Sequence, residues 1–165
     1  MEKITKTFDV YDFDELDKEI QNKLIEQEKA NYSEDYCNYS LYDDMKEKAK
    51  ELLEKYFKGK AEFKNIYYSL SYCQGDGAMI EFTLNYCNKI VNVKQYGNYY
   101  HERSFIIESY ELSDKQEEQL KEKIYKMNCE LANYGWKQIE TTISDEEAKE
   151  NLRQYKYFKN GKYFN

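Results

Sequence analysis

The sequence has no proline, one histidine, six glycines and four cysteines in 165 residues. Each scarcity closes off a class of structure or chemistry. Without proline or any Gly/Ser-rich stretch there is no linker to be seen, so one continuous domain over residues 1–165 is expected. A lone histidine, His101, rules out metal centres and proton relays that need two imidazoles. Cys37, Cys73, Cys87 and Cys129 form no C-x-x-C pair, and the local turns that preorganise a structural zinc site need that close spacing. No D-x-D-x-D-G loop is present either. The expectation is therefore no metal, no cofactor, and reduced, mostly buried thiols. No stretch approaches the roughly 18 apolar residues of a membrane span. The opening residues, Met1 to Thr7, lack the apolar run of a signal peptide, so a soluble intracellular protein with no membrane partner is expected.

What is abundant is acid and tyrosine. Thirty-two carboxylates against 25 basic residues leave a formal charge of -7, which repels phosphate backbones and argues against direct nucleic-acid binding. Aromatic residues make up 17%, too many for a disordered acidic chain, because each ring buries a large apolar area. Nineteen tyrosines point further to surface recognition, since a rigid ring gives contact area at small entropic cost.

The apolar periodicity predicts an α+β fold. Residues 6–11 alternate as a short strand, and Asp14 is placed as the N-cap of a helix carrying Leu16, Ile20, Leu24 and Ile25 to about Ala30. A second helix, about Leu41 to Tyr56, carries Met45, Ala49, Leu52 and Leu53 on one side and stops at Phe57-Lys58-Gly59. The period then changes to two. Strands are expected at 66–73, 78–86, 89–95 and 101–110, forming a four-stranded antiparallel meander packed against helices. A long helix follows from Ser113 or Asp114 to about Asn133, ended by Gly135. Ser144 and Glu147 form a capping box for a last helix, and residues 157–163 read as a short C-terminal hairpin.

The least ordinary segment is Tyr68-Ser69-Leu70-Ser71-Tyr72-Cys73-Gln74-Gly75-Asp76-Gly77-Ala78. Two glycines around an aspartate suit a tight hairpin, and the same turn can aim several backbone N–H groups at an anion. It is neither a P-loop nor a dinucleotide fingerprint, because no Gly-Lys-Ser/Thr and no helix follows. With the helix start at Tyr11 to Leu16, the Ser71 to Ala78 element, Tyr99-Tyr100-His101 and Ser144 to Glu147, the chain resembles a family of small, largely uncharacterised phage and prophage proteins. The resemblance implies a mobile-element origin and counter-defence work, of an anti-CRISPR-like kind, in the cytoplasm of a bacterial host. It supplies no reaction.

Candidate sites follow from these features. Tyr72, Gln74, Gly75, Asp76 and Gly77 with His101 and Arg103 form one, if the later strand returns beside the turn. Such a rim would hold a small ligand or nucleotide, or would make a hydrolase or transferase with Asp76 and His101 as acid and base. Cys73 beside the turn reads as a buried thiol. Asp9, Asp12, Asp14, Glu15, Asp17 and Glu19 form an acidic cluster, and Glu108, Glu111, Asp114, Glu117 and Glu118 a second. Each is either a solvated, well-capped helix start or a phosphate-mimicking surface for a basic partner. After Glu150 the sign reverses, with Arg153, Lys156, Lys159 and Lys162 interleaved with Tyr155, Tyr157, Phe158, Tyr163 and Phe164. That stretch reads as a hairpin docked on the sheet, or as a stacking surface. With no complete catalytic constellation, binding to a bacterial protein partner is expected rather than turnover. Self-association into a homodimer is a further expectation, from an edge strand and many rings.

Overall fold

A computed structural model describes residues 7–71, 73–97, 100–109 and 112–164. In chain order they form β1 (Tyr11–Asp12), a 3-10 turn (Phe13–Glu15), α1 (Lys18–Tyr39), α2 (Leu41–Phe57), β2 (Ala61–Ser69), β3 (Gly77–Tyr86), β4 (Lys89–Gln95), β5 (Phe105–Glu108), α3 (Asp114–Glu140), α4 (Asp145–Leu152) and β6 (Lys156–Tyr157). The fold is α+β. Its principal sheet is the four-stranded antiparallel meander β2-β3-β4-β5, and β1 pairs with β6 in a separate two-stranded sheet. No helix among the described residues is long and apolar enough to cross a membrane. The chain forms two compact units, Tyr39–Ile139 and a unit made of Met1–Asn38 with Glu140–Asn165.

In the larger unit the helix α2 buries Met45, Ala49, Leu52, Leu53 and Phe57, the residues its 3.6-residue period selects. From α3, Leu120, Ile124, Met127 and Leu131 are buried in the same way. Between Gly77 and Ile80 β3 is buried on both faces. A bulge between Phe63 and Asn65 shifts the register of β2, and this is why strict alternation is absent before Ile66 and the strand begins at Ala61. The pairing Ser69↔Gly77 leaves residues 70–76 as a seven-residue connection, wider than a tight hairpin. Gly135 does not end its helix. It lies inside α3, where an added Cβ would come within 2.5 Å of Leu70 Cδ1 and 2.7 Å of Met45 Sδ. The glycine is there for close packing.

At the centre of this unit one polar side chain replaces a strand. The β3–β4 register runs from Tyr86↔Lys89 to Phe82↔Val93 and stops there. Beyond it the fully buried Asn128 of α3 takes over, accepting from the Ile80 N–H at 3.2 Å and donating to the Glu102 carbonyl at 3.0 Å. The carboxamide has one acceptor and one donor end, so it ties β3 to the 100–104 connection.

The smaller unit packs Phe13, Leu16, Leu24, Ile25, Ile143, Ala148, Leu152 and Tyr157 into its own cluster. Asp14 is not its helix N-cap. The 3-10 turn starts at Asp12, whose N–H donates to Glu15 Oε2 at 2.9 Å, and Leu16 is extended. The α-helix then opens with the Asp17 carbonyl accepting from the Gln21 N–H at 2.9 Å. It continues to Tyr39, past the Ala30 limit that the apolar stripe suggests. The capping box at Ser144 forms as expected, Glu147 N–H to Ser144 Oγ at 3.2 Å and Ser144 N–H to Glu147 Oε2 at 2.9 Å.

Replacing Asn128 by leucine leaves the Ile80 N–H and Glu102 C=O buried without partners, at about 1–3 kcal/mol for each group. Urea unfolding followed through Trp136, the only tryptophan, is expected to show about 2–6 kcal/mol of lost stability. Wild-type stability in Asn128→Leu would show that the pin is dispensable.

Candidate functional site: the glycine-flanked turn, the acidic helix start and the C-terminal hairpin

The turn closes on itself. Asp76 accepts from the Ser69 hydroxyl at 2.7 Å through Oδ1 and from the Cys73 N–H at 2.7 Å through Oδ2, while its own N–H donates to the Cys73 carbonyl at 3.1 Å. The Cys73 and Ser69 donors hold its carboxyl below the ordinary value of 3.8. Gly75, at φ 94°, supplies the left-handed residue that this turn needs. Gln74 is exposed, and Tyr72 lies outside the described residues. The aspartate is thus a turn clasp, with both oxygens engaged locally.

The later segment does return beside this turn. An added Cβ on Gly77 would come within 2.9 Å of Glu102 Oε1 and 3.1 Å of the Tyr100 carbonyl. The glycine is needed for that approach. His101 is not on a strand, however: Ser104 N–H bonds the His101 carbonyl at 2.8 Å, and β5 begins only at Phe105. Its imidazole is exposed, with Nδ1 accepting from the Arg103 N–H at 3.3 Å and Nε2 3.3 Å from Glu102 Oε2. Arg103 turns the other way and lays its guanidinium 3.9 Å over the Tyr125 ring. Asp76 and His101 therefore belong to one region, yet each spends its bonding capacity on its own neighbours. Sequence reasoning missed Glu102, a carboxylate only 8% exposed, and Asn128 behind it; the signal was a single polar residue on an otherwise apolar helix stripe.

All four thiols are free, and they are less buried than expected: Cys73 and Cys87 are exposed, Cys37 and Cys129 half-buried. The exposed pair sits in turns, where no apolar layer covers them. Burial pushes the Cys129 thiol up, away from thiolate, and also raises Cys37. Among the described residues no cluster of three or more His, Cys, Asp or Glu could hold a metal ion.

Much of the acidic helix start is neutralised from within. Asp14 receives the Arg153 guanidinium through two nitrogens at 2.9 and 3.2 Å, and this pairing lowers its carboxyl. Lys156 bonds Asp12, Arg153 also reaches Glu150 at 2.6 Å, and Lys29 bonds Asp145 at 2.7 Å. Asp17 and Glu19 remain as exposed carboxylates in this segment. In the second cluster Glu108 pairs with Lys94 at 2.7 Å and Glu117 with Lys121 at 2.5 Å; Glu111 lies outside the described residues.

The C-terminal hairpin forms, with Tyr157 bridging Tyr163 and Phe158 N–H donating to the Lys162 carbonyl at 2.8 Å. Its strand pairs with β1 rather than with the four-stranded sheet. Tyr157 is fully buried and donates to the Leu152 carbonyl at 2.8 Å, and desolvation raises its phenol. Around it the rings meet edge to face or tilted: Tyr155 with Tyr163, Tyr157 with Tyr163, Phe158 with Phe164 and Phe8 with Phe158. Four of these rings remain open to solvent, Phe8 at 56%, Tyr155 at 52%, Tyr163 at 43% and Phe164 at 43%. No family model, curated protein or solved structure matches this chain.

Because Asp76 is depressed in the folded state, its clasp contributes stability above the ordinary carboxylate value and loses it as pH falls through the lowered one. The residue is half-buried and its carboxylate still partly screened by water, so the gain is small. Asp76→Asn is expected to be less stable than wild type at about pH 6 and to approach wild type by about pH 3 in urea titrations. A gap that does not change with pH would show that the ionised clasp is not what holds the turn.

Proposed function

We propose that this protein acts by capturing a protein partner in a bacterial host rather than by turning over a substrate, as a phage-type inhibitor in counter-defence. The observation that carries this reading is the set of solvent-open rings on and beside the hairpin. Four aromatic side chains half open to water belong to two ring groups, Phe8 and Phe164 meeting on Phe158 and Tyr155 and Tyr163 meeting beside Tyr157. Each group is a small apolar patch on a stretch that also exposes Lys156, Lys159 and Lys162. Such a patch is costly in isolation and is the composition of interface centres, where rings fill pockets and charges form the rim.

The acidic helix start supports a different role from phosphate mimicry. Asp12 and Asp14 fasten the hairpin by holding Lys156 and Arg153, so they present the aromatic surface rather than contact the partner. The enzymatic alternative finds less support. Both groups proposed for acid-base work, Asp76 and His101, bond within their own loops.

The test is capture from host lysate with quantitative mass spectrometry, comparing the wild type with a Tyr155→Ser/Tyr163→Ser/Phe164→Ser variant and with Asp17→Lys/Glu19→Lys. Losing two or three aromatic anchors at about 2 kcal/mol each removes capture by well over tenfold. The Asp17 and Glu19 reversals are expected to leave it within about threefold, the scale of a rim charge. A partner retained by the ring variant and lost on charge reversal would overturn the aromatic surface in favour of the acidic one.

A further inference from the structure

The larger unit carries a second feature, at the opposite end of its sheet from the glycine-flanked turn. The Ala61↔Leu84 pair marks one end of the β2–β3 ladder and Ser69↔Gly77 the other, about 26 Å apart at ~3.3 Å per residue. At the Ala61 end, where α2 hands over to β2 and β3 turns into β4, lies a hollow of about 330 Å³. Its floor is Phe57 and Leu84, its aromatic walls are Tyr56 and Tyr86, and Lys58, Lys60 and Lys123 line it without any carboxylate.

That lining is unusual for a chain of net charge -7. Elsewhere in this unit Lys48, Lys50, Lys55, Lys64, Lys121 and Lys126 each have a glutamate within 3.5 Å, while Lys46 and Lys115 stand apart from one another on α2 and α3 without such a partner among the described residues. Lys58, Lys60 and Lys123 make no ion pair among the described residues. Two of the local carboxylates are committed to other lysines. Glu130 receives Lys55 at 2.6 Å and the Tyr56 hydroxyl at 2.6 Å, which fixes that ring as a wall; desolvation first, and then the bond to Glu130, push the phenol up to about 12. Glu122 faces Lys126 at 3.5 Å, and Glu54 Oε2 lies 3.8 Å from the Cβ position of Gly59. A helix C-terminus favours a nearby cation, which accounts for Lys55 and Lys58 on α2. It does not account for Lys60, on the connection to β2, or for Lys123, which comes from α3 and rests its ammonium 4.7 Å above the Phe57 ring. The α2–β2 connection and α3 together deliver three positive charges to one aromatic-walled hollow, and mutual repulsion is the cost until an anion enters.

We propose that this hollow binds a nucleoside mono- or diphosphate, its base lying against the Tyr56 and Tyr86 rings and its phosphate among Lys58, Lys60 and Lys123. The volume falls at the small end of the usual ligand range of about 300–1,000 Å³. Base stacking on an aromatic face and ammonium contacts to phosphate are the two terms such a ligand needs. Exposed Cys87 on the rim makes the site readable by chemistry, once Cys73 is replaced by serine.

The experiment titrates the Cys73→Ser protein with ADP, AMP, adenosine and inorganic phosphate, reading heat, the backbone amide shifts of Lys60, Asn85 and Cys87, and the rate of Cys87 alkylation. ADP is expected to shift those amides, slow alkylation severalfold and bind more weakly as salt rises. Adenosine and phosphate alone are expected to bind at least about tenfold more weakly than ADP. Lys60→Ala/Lys123→Ala is expected to cost at least about tenfold in ADP affinity while Trp136 unfolding is unchanged, and Lys115→Ala/Lys121→Ala to cost nothing. Amides that do not move at millimolar ADP, or that still move in Lys60→Ala/Lys123→Ala, overturn the site. Phosphate binding as tightly as ADP overturns the assignment of a nucleotide.

Discussion

The larger unit depends on how a buried strand is satisfied after its neighbour leaves it. Where β4 stops pairing at Phe82↔Val93, β3 still runs through the core with backbone groups that need partners. Asn128 meets that need, and because its other end holds the Glu102 carbonyl, the 100–104 connection is brought back over Gly77. From this one carboxamide follow the burial of Glu102, the exposure of His101 and the stacking of Tyr100 on Tyr67, their centroids 6.2 Å apart. A buried polar group of this kind specifies one arrangement because any other leaves it unpaired.

The same logic divides the surface between display and support. Charges that look available in the sequence are largely engaged in holding local structure: Asp76 in its turn, Asp12 and Asp14 under the hairpin, Glu130 between Lys55 and Tyr56. Beside exposed carboxylates such as Asp17 and Glu19, open aromatic rings stand in the smaller unit and open lysines in the hollow of the larger one.

Much of the fold was legible because it rests on periodicity. Residues 41–57 and 89–95 fall where the apolar spacing puts them, and Ser144 with Glu147 caps its helix as the spacing of the pair requires. Periodicity failed where a single residue answers to a distant neighbour. Gly135 reads as a helix stop until Met45 and Leu70 are seen against it, and the bulge at Phe63 hides the first turns of β2. The commitments of Asp76 to Ser69 and Cys73, and of His101 to Arg103, depend on side-chain directions that spacing does not encode. The lysine hollow was not legible, since Lys123 reaches Lys58 and Lys60 from a helix more than sixty residues away in the sequence.

The pairing of β1 with β6 has a consequence for the order of assembly. Lys156 and Asp12 are 144 residues apart, and closing so long a loop costs about 4 kcal/mol of chain entropy before any reward. Two strand residues and two exposed ion pairs do not cover that; the burial of Phe13, Leu16, Leu24 and Ile25 against Leu152 and Tyr157 must come with it. On a ribosome the first half of this cluster therefore emerges long before its second half exists. Until then its apolar stripe stands open, a natural landing place for a holdase chaperone and the moment at which this unit is most exposed to aggregation.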